Sequence, residues 1–231
     1  MQIPGCLPAG TSSINFHRNG LAGDVAHARS FLSERGYLRV DQCFDDAVAE
    51  GTRVELKQDA RYARMERDLA GDYGVLHCEG ELSPCVGQCC HFLKGPVFLD
   101  WLTGLLGSKV CITRHPSPFR MKLGDRIVAH DDCSDYPLNR FSVVLHFSKS
   151  WKKQFGGNTV IGEVKRIETI RSEKGESRRH WIFTAKRSVL VPVFNSLVLI
   201  ALRPGMAHKV TEVRAKADRL TIVATYGLDP T

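Results

Sequence analysis

The chain lacks what would carry it through a membrane or onto a nucleic acid. No apolar run approaches the roughly 20 residues that a bilayer-spanning helix requires. The opening stretch, Met1 to Pro8, has no basic region leading into an apolar one, so no export signal is read there and a cytoplasmic protein is expected. No tract is made of lysine and arginine alone, and no aromatic-basic pattern marks a recognition module, so nucleic acid is not an expected partner. No internal repeat and no low-complexity linker divides the chain. A single domain over residues 1–231 is the economical reading.

What is present is ordinary in bulk: 231 residues, 43% hydrophobic and 25% charged. The net charge of +7 leaves room for an anionic substrate or an acidic partner. Eight cysteines stand at positions 6, 43, 78, 85, 89, 90, 111 and 133, and in the cytosol they are expected as reduced thiols. His77, Cys78, Cys85, Cys89, Cys90 and His91 crowd together. Their spacing fits no common zinc finger, so buried or loop thiols are expected, with a zinc site as the alternative.

The first half reads as helical. Asp24 can cap a helix through about Glu34 that Gly36 stops, and Tyr37 to Val40 reads as a strand. Asp45 to Leu69 reads as mostly helical with an interruption at Gly51, and Pro96 opens a helix over Val97–Leu106 that Gly107 ends. After Ser108 the texture changes to short apolar runs between turn residues: 109–113, 119–123, 126–130, 140–147, 158–161, 188–193, 196–202, 207–213 and 219–226. Helices over about 20–107 followed by strands over about 108–227 point to a sandwich or barrel with helices on one face. Glu163 to Arg187 stands apart, with eight basic and four acidic residues around the turn signal Ser172–Ser177. It reads as a protruding hairpin or lid, or as a solvated charged loop.

Chemistry concentrates at Ala129-His130-Asp131-Asp132. On an extended strand, His130 and Asp132 at i, i+2 share a face. A histidine and a carboxylate there are two thirds of a facial metal site; His208 can supply the third ligand and leave three positions of an octahedral iron open. Arg219, which opens the strand-like run to Tyr226, can hold a dicarboxylate by a bidentate fork. Taken singly, each residue has a plainer reading: a surface turn for His130 and Asp132, a turn cap for His208, a surface ion pair for Arg219. Asp131 competes as a ligand, but on a strand it points away from His130.

Ordered along the chain, these pieces resemble a known family. Phe31–Leu38, Leu123-Gly-Asp-Arg-Ile-Val-Ala-His-Asp-Asp132, Arg140-Phe-Ser-Val-Val-Leu-His-Phe-Ser148, Trp151, Gly156-Gly-Asn-Thr159, Pro192–Ile200, His208 and Arg219 follow one another as in the prolyl 4-hydroxylase-like branch of the iron(II)/2-oxoglutarate-dependent oxygenases. The resemblance implies a double-stranded β-helix (a jelly roll) flanked by helices. It implies iron(II) held by His130, Asp132 and His208, and 2-oxoglutarate held at its far carboxylate by Arg219. Thr221 lies on the same strand face and adds a hydroxyl. It further implies dioxygen as co-reactant, ascorbate as a stimulant, and release of succinate and carbon dioxide. Asp132 separates the chain from the halogenating relatives, which carry a small residue there.

Three departures are visible. Family members commonly have a tyrosine about nine residues before the first ligand, where this chain has Arg120 and Met121. They commonly have Tyr-Leu-Asn where it has His146-Phe147-Ser148, so His146 is expected either as the replacement donor to the cosubstrate or as a core histidine. The interval from His208 to Arg219 is long. The expected function is hydroxylation of an unactivated C–H of a small molecule, such as an amino acid or a biosynthetic intermediate, with an anionic or carrier-bound substrate allowed by the basic hairpin. The alternatives are hydroxylation of a protein residue, a non-catalytic jelly roll that binds metal or ligand, and a zinc-stabilised module built on the cysteine cluster.

Overall fold

The computed structural model describes residues 25–59, 61–67, 71–76, 81–171 and 177–229. Four helices precede most of the strands. Helix α1 (Val25–Arg35) ends at Gly36, whose φ of +76° returns its N–H to the Leu32 carbonyl at 2.9 Å. The expected cap at Asp24 lies outside the described residues. Strand β1 (Tyr37–Asp41) follows, then α2 (Asp46–Gln58). Gly51 does not interrupt α2: it is buried on the face that also buries Val48, Thr52, Glu55 and Leu56, where a small residue suits close packing.

The expected helix to Leu69 is a second misreading. The chain turns extended at Asp59, and Tyr62–Arg67 forms β2, paired antiparallel with β3 (Gly71–Leu76). Alanine, glutamate and arginine favour helix locally, but cross-strand pairing against β3 outweighs a preference worth only tenths of a kcal/mol per residue. No element was expected over helix α3 (Pro84–Lys94), which carries the crowded cysteines. Helix α4 (Pro96–Leu106) runs as expected, and Gly107 closes it in the left-handed region.

Two antiparallel sheets carry the rest. The first has seven strands in the order β1-β9-β6-β11-β4-β3-β2, with β4 Val110–Met121, β6 Phe141–His146, β9 Ser196–Ala201 and β11 Arg219–Leu228. The second has four, β5-β10-β7-β8, with β5 Ile127–His130, β7 Thr159–Arg171, β8 Ser177–Leu190 and β10 Met206–Val210. Two such sheets with helices against one of them are the expected jelly roll. The two short strands expected at 109–113 and 119–123 are one, β4, because irregularities in its register with β11 carry the ladder past Pro116 and Pro118. The charged segment is a hairpin: β7 and β8 pair from Thr159↔Leu190 out to Arg171↔Ser177.

The seven-stranded sheet gives one face to the helices. Leu145, Leu197, Leu199, Ile222, Ala224 and Tyr226 join Phe44, Leu56, Leu93, Phe98 and Leu102 in the main core. Tyr226 donates its hydroxyl to the Leu93 carbonyl at 2.8 Å, which satisfies the one polar atom it buries. Asn195 clamps the start of β9 to the chain before α2, accepting from Phe44 N at 2.9 Å and donating to Phe44 O at 2.6 Å. Alternate residues on the other face look toward the four-stranded sheet, and the cavity lies between.

The cysteines belong to this core. Cys89 and Cys90 are buried on α3, and burial pushes the Cys89 thiol up to about 12, so it stays protonated and is a poor metal ligand. Cys85 is disulfide-bonded, against the expectation of reduced thiols. That expectation rested on compartment, whereas pairing is decided by which sulfurs the fold brings together. His77 and Cys78 lie outside the described residues.

Candidate metal centre and cavity

The approach to the centre is a tight turn. Gly124, at φ +90°, donates to the Val213 carbonyl, and buried Asp125 accepts from Lys122 N at 2.6 Å. From this turn β5 runs to His130. The carboxylate does not reach the site by strand alternation, as its spacing suggested. β5 ends at His130, and a single helical turn, Asp132–Asp135, carries Asp132 around to it. The third residue comes from pairing: His208 on β10 lies directly opposite His130 on β5, with ring centroids 4.3 Å apart.

The ligand atoms of His130, Asp132 and His208 all lie within 4.8 Å of one another. Asp132 faces both rings, with its Oδ1 3.6 Å from His130 Nε2 and its Oδ2 3.5 Å from His208 Nε2. Burial pushes His208 down to about 4, with His130 beside it acting in the same direction, so at neutral pH its Nε2 meets the carboxylate as an uncharged ring. A neutral ring beside a carboxylate is not an ion pair; two imidazole nitrogens and a carboxylate oxygen converging on one point are a donor set suited to a divalent cation. His130 Nδ1 sits 2.8 Å from the Val128 carbonyl, which assigns its proton to Nδ1 and leaves Nε2 as the free lone pair. Asp131 is buried and turned elsewhere: the Trp181 indole donates to its Oδ2 at 3.2 Å.

A cavity of about 830 Å³ opens from this centre between the sheets. Arg219 lies at its closed end, 3% exposed. Its Nε donates to the Gly157 carbonyl at 2.8 Å, one terminal nitrogen reaches Thr159 Oγ1 at 3.3 Å, and the other touches Met121 Sδ at 3.7 Å. Burial lowers its pKa to about 10, so it remains charged at neutral pH. Among the described residues no carboxylate pairs with it, although a buried unpaired charge costs several kcal/mol. The Gly156-Gly157 turn seats it. Both glycines have positive φ (+68° and +61°); a Cβ on Gly156 would come within 1.8 Å of the Glu212 carbonyl oxygen, and one on Gly157 within 3.0 Å of Arg219 Cδ.

Thr221 lines the cavity two residues along from Arg219, and its buried hydroxyl has no hydrogen-bond partner among the described residues. His146 pairs across the sheet with Thr221 but is not among the cavity-lining residues. It is buried, its Nδ1 lacks a partner among the described residues, and burial together with the Arg219 charge holds its pKa well below the usual histidine value. Arg120 and Arg140 are engaged elsewhere, Arg120 with Asp218 at 2.9 Å and Arg140 with the Pro137 and Asn139 carbonyls. Sequence reasoning assigned no role to Trp181, Thr159 or Arg114, all lining the cavity. Thr159 closes the Gly-Gly-Asn-Thr motif and was within reach; Trp181 was hidden in a hairpin read only for its charge.

Residues 119–226, which contain every residue of this centre, match the model of the 2OG-Fe(II) oxygenase superfamily. That segment is of the 2OG-Fe(II) oxygenase superfamily. The fold of the chain recurs in solved structures. An oxidoreductase of the 2OG-Fe(II) oxygenase family from Burkholderia pseudomallei superposes with a TM-score of 0.65 at 18% identity, covering 89% of this chain and 91% of that one. A prolyl hydroxylase from Trichoplax adhaerens, in complex with a hypoxia inducible factor peptide fragment, gives 0.66 at 11% identity over 94% of each chain. The epimerase SnoN of nogalamycin biosynthesis, in complex with Fe3+, alpha ketoglutarate and nogalamycin RO, gives 0.64 at 11% identity over 88% and 83%. No curated protein matches the chain by sequence. The match and the converging His-Asp-His group support a 2-oxoglutarate-dependent dioxygenase, with iron(II) and 2-oxoglutarate as cofactor and cosubstrate. No helix among the described residues is long and apolar enough to cross a membrane.

Proposed function

We propose that His130, Asp132 and His208 hold iron(II), that Arg219 holds the far carboxylate of 2-oxoglutarate, and that the enzyme hydroxylates an unactivated C–H bond of a small molecule. The observation that carries this reading is the pairing, in one cavity, of a converging His-Asp-His donor set with a buried arginine that lacks a carboxylate among the described residues. The chemistry these groups supply when bound is oxidative decarboxylation of 2-oxoglutarate by dioxygen, coupled to oxidation of the substrate.

The chain's own residues do the positioning. Arg219 offers its terminal nitrogens to a carboxylate, and Thr221 adds a donor beside them. His146, kept neutral by burial and by the Arg219 charge, supports this end from the neighbouring strand. The hydrogen bond from His130 Nδ1 to Val128 O fixes one ligand ring before metal arrives. The Trp181 indole, by its hydrogen bond to Asp131, steadies the neighbour of Asp132. A small substrate is favoured because the cavity is deep and walled by both sheets. Exposed Tyr136 and Leu138 on the loop after the ligand turn favour a second reading, in which a residue of another protein is the substrate.

Purified protein with iron(II) and ascorbate should convert 2-oxoglutarate to succinate slowly alone and faster with a matching member of a metabolite library. Undiminished turnover by His130→Ala or His208→Ala would overturn the ligand assignment. Stimulation by peptides alone would favour the second reading.

A further inference from the structure

The cavity has a second cationic end. Building on the assignment of Arg219 to the cosubstrate, we propose that the oxidised substrate carries a carboxylate or phosphate remote from its reacting carbon, held at the cavity mouth by Arg114 and Arg179.

The layers of the seven-stranded sheet set the distances. Arg219, Thr221, Val223 and Thr225 of β11 all face the cavity. Arg219 pairs with Met121, Thr221 with Phe119 and His146, Val223 with Val144, and Thr225 with Arg114 and Ser142. From the closed end outward the wall therefore runs from cation, through hydroxyl, to an apolar layer of Val223 and Val144, and then to a polar layer with Thr225, Ser142 and Arg114. Six residues of extended chain separate the Arg219 level from the Arg114 level, roughly 20 Å at about 3.3 Å per residue. 2-Oxoglutarate is too short to bridge that span, so Arg114 serves another molecule. His208 pairs with Ile161, two residues along β7 from Thr159, which Arg219 touches. The metal centre thus lies near the Thr221 level, one apolar layer below Arg114.

The opposite wall supplies the second cation. Arg179 and Trp181 alternate along β8, so both present their side chains to the cavity. Trp181 is 5% exposed and anchored to Asp131, the neighbour of Asp132. The Arg179 guanidinium sits 5.2 Å over the Trp181 ring centroid. An arginine stacked on a fixed indole loses less freedom on gripping an anion than one swinging in solvent. Asp132 is the sole carboxylate on the cavity wall among the described residues, and it faces the two histidines; three guanidinium groups share the same wall. Such a wall favours a ligand that is anionic at its outer end, apolar in the middle, and oxidised near the middle.

The test reads binding without turnover. Enzyme loaded with iron(II) and saturated with 2-oxoglutarate, which fills the Arg219 end, is titrated anaerobically with hexanoate, hexyl phosphate and neutral hexanamide. Tryptophan fluorescence and calorimetry follow the binding. At least one anion should bind about tenfold or more tighter than the amide, the difference that one charge-assisted pair supplies. The order of hexanoate and hexyl phosphate separates a carboxylate site from a phosphate site. In the Arg114→Gln/Arg179→Gln double variant the preference should fall to within about twofold, and in the unsubstituted protein it should shrink as salt rises. The Michaelis constant for 2-oxoglutarate in substrate-free decarboxylation should stay within about twofold, since Arg219 is untouched. Equal binding of the amide, no binding of either anion, or a preference that survives the double substitution each overturns the proposal, as does binding of acidic peptides alone. Absence of succinate formation by the unsubstituted protein would instead strike the cosubstrate assignment.

Discussion

The closed end and the mouth of the cavity are built by different means. At the closed end every functional group is held by backbone: His130 faces His208 through strand pairing, Asp132 is delivered by one helical turn, and Arg219 is pinned to the Gly157 carbonyl. At the mouth the groups are side chains on a long hairpin and a rim, with Arg114 and Tyr136 exposed. Reactants common to a whole reaction class need one rigid geometry, and the proposed assignment puts them where the sheets over-determine position. The reactant particular to this enzyme is met by side chains that can vary without disturbing the ladders.

The largest effect that would break this contrast concerns the ligands. His208→Ala should lower bound iron and succinate formation by more than the 10- to 100-fold typical of losing only an outer-shell partner. Metal analysis after dialysis checks it, and iron retained at wild-type level would remove His208 from the centre. Next comes Arg219→Gln. A lost bidentate charge pair at a buried site costs on the order of 2–5 kcal/mol, so the Michaelis constant for 2-oxoglutarate should rise tens-fold or more. An unchanged constant would move the cosubstrate toward Arg114 and Arg179 and erase the distinction between the ends.

A sharper comparison uses two glycines. Gly157→Ala meets a positive φ of +61° with Arg219 Cδ and Trp151 Cζ2 both 3.0 Å from the new methyl, whereas Gly205→Ala meets a φ of +81° in open space. Both should lose about 1–2 kcal/mol to the left-handed backbone and melt several degrees lower. Only Gly157→Ala should also weaken 2-oxoglutarate binding, and calorimetric titration would expose a shared or absent effect.

Titration offers a smaller test. His208 (down to about 4) and His146 (well below its usual value) are held uncharged in the fold, whereas the unfolded chain protonates them near 6.5. The unfolded state therefore takes up protons first as pH falls. Stability from these two groups is present above about 6.5 and is lost on descending toward about 4. Metal-free protein should melt lower at pH 5 than at pH 7, and His146→Gln should flatten that slope; an unaltered slope would mean His146 does not contribute. The smallest effect is expected from Trp181→Phe, which removes one hydrogen bond to Asp131, a net loss of about 0.5–1.5 kcal/mol. It should loosen Arg179 at the mouth and leave 2-oxoglutarate affinity unchanged, as steady-state kinetics would show.

Much of the closed end was legible beforehand. His130, Asp132, His208 and Arg219 stand in an order and spacing that few other arrangements produce, and the structure brings all four to one cavity. The route was misjudged for Asp132, because i, i+2 spacing reads alike on a strand and across a strand-to-helix break. The hairpin was legible as a hairpin, but which of its arginines turned inward was not. Arg179 lines the cavity.

Local patterns determined what local physics controls: the glycine stops of α1 and α4, the period-2 strands after Ser108, the Gly156-Gly157 turn and the identity of the side chains that converge at the candidate metal centre. Long-range pairing decided the rest. Tyr62–Arg67 became a strand because β3 lay beside it, the crowded cysteines became core because α3 turned them against α2, and Trp181 met Asp131 across 50 residues of chain. Such contacts depend on register between distant segments. No short window of residues encodes register, because each strand offers the same ladder to every neighbour until burial of its apolar face selects one.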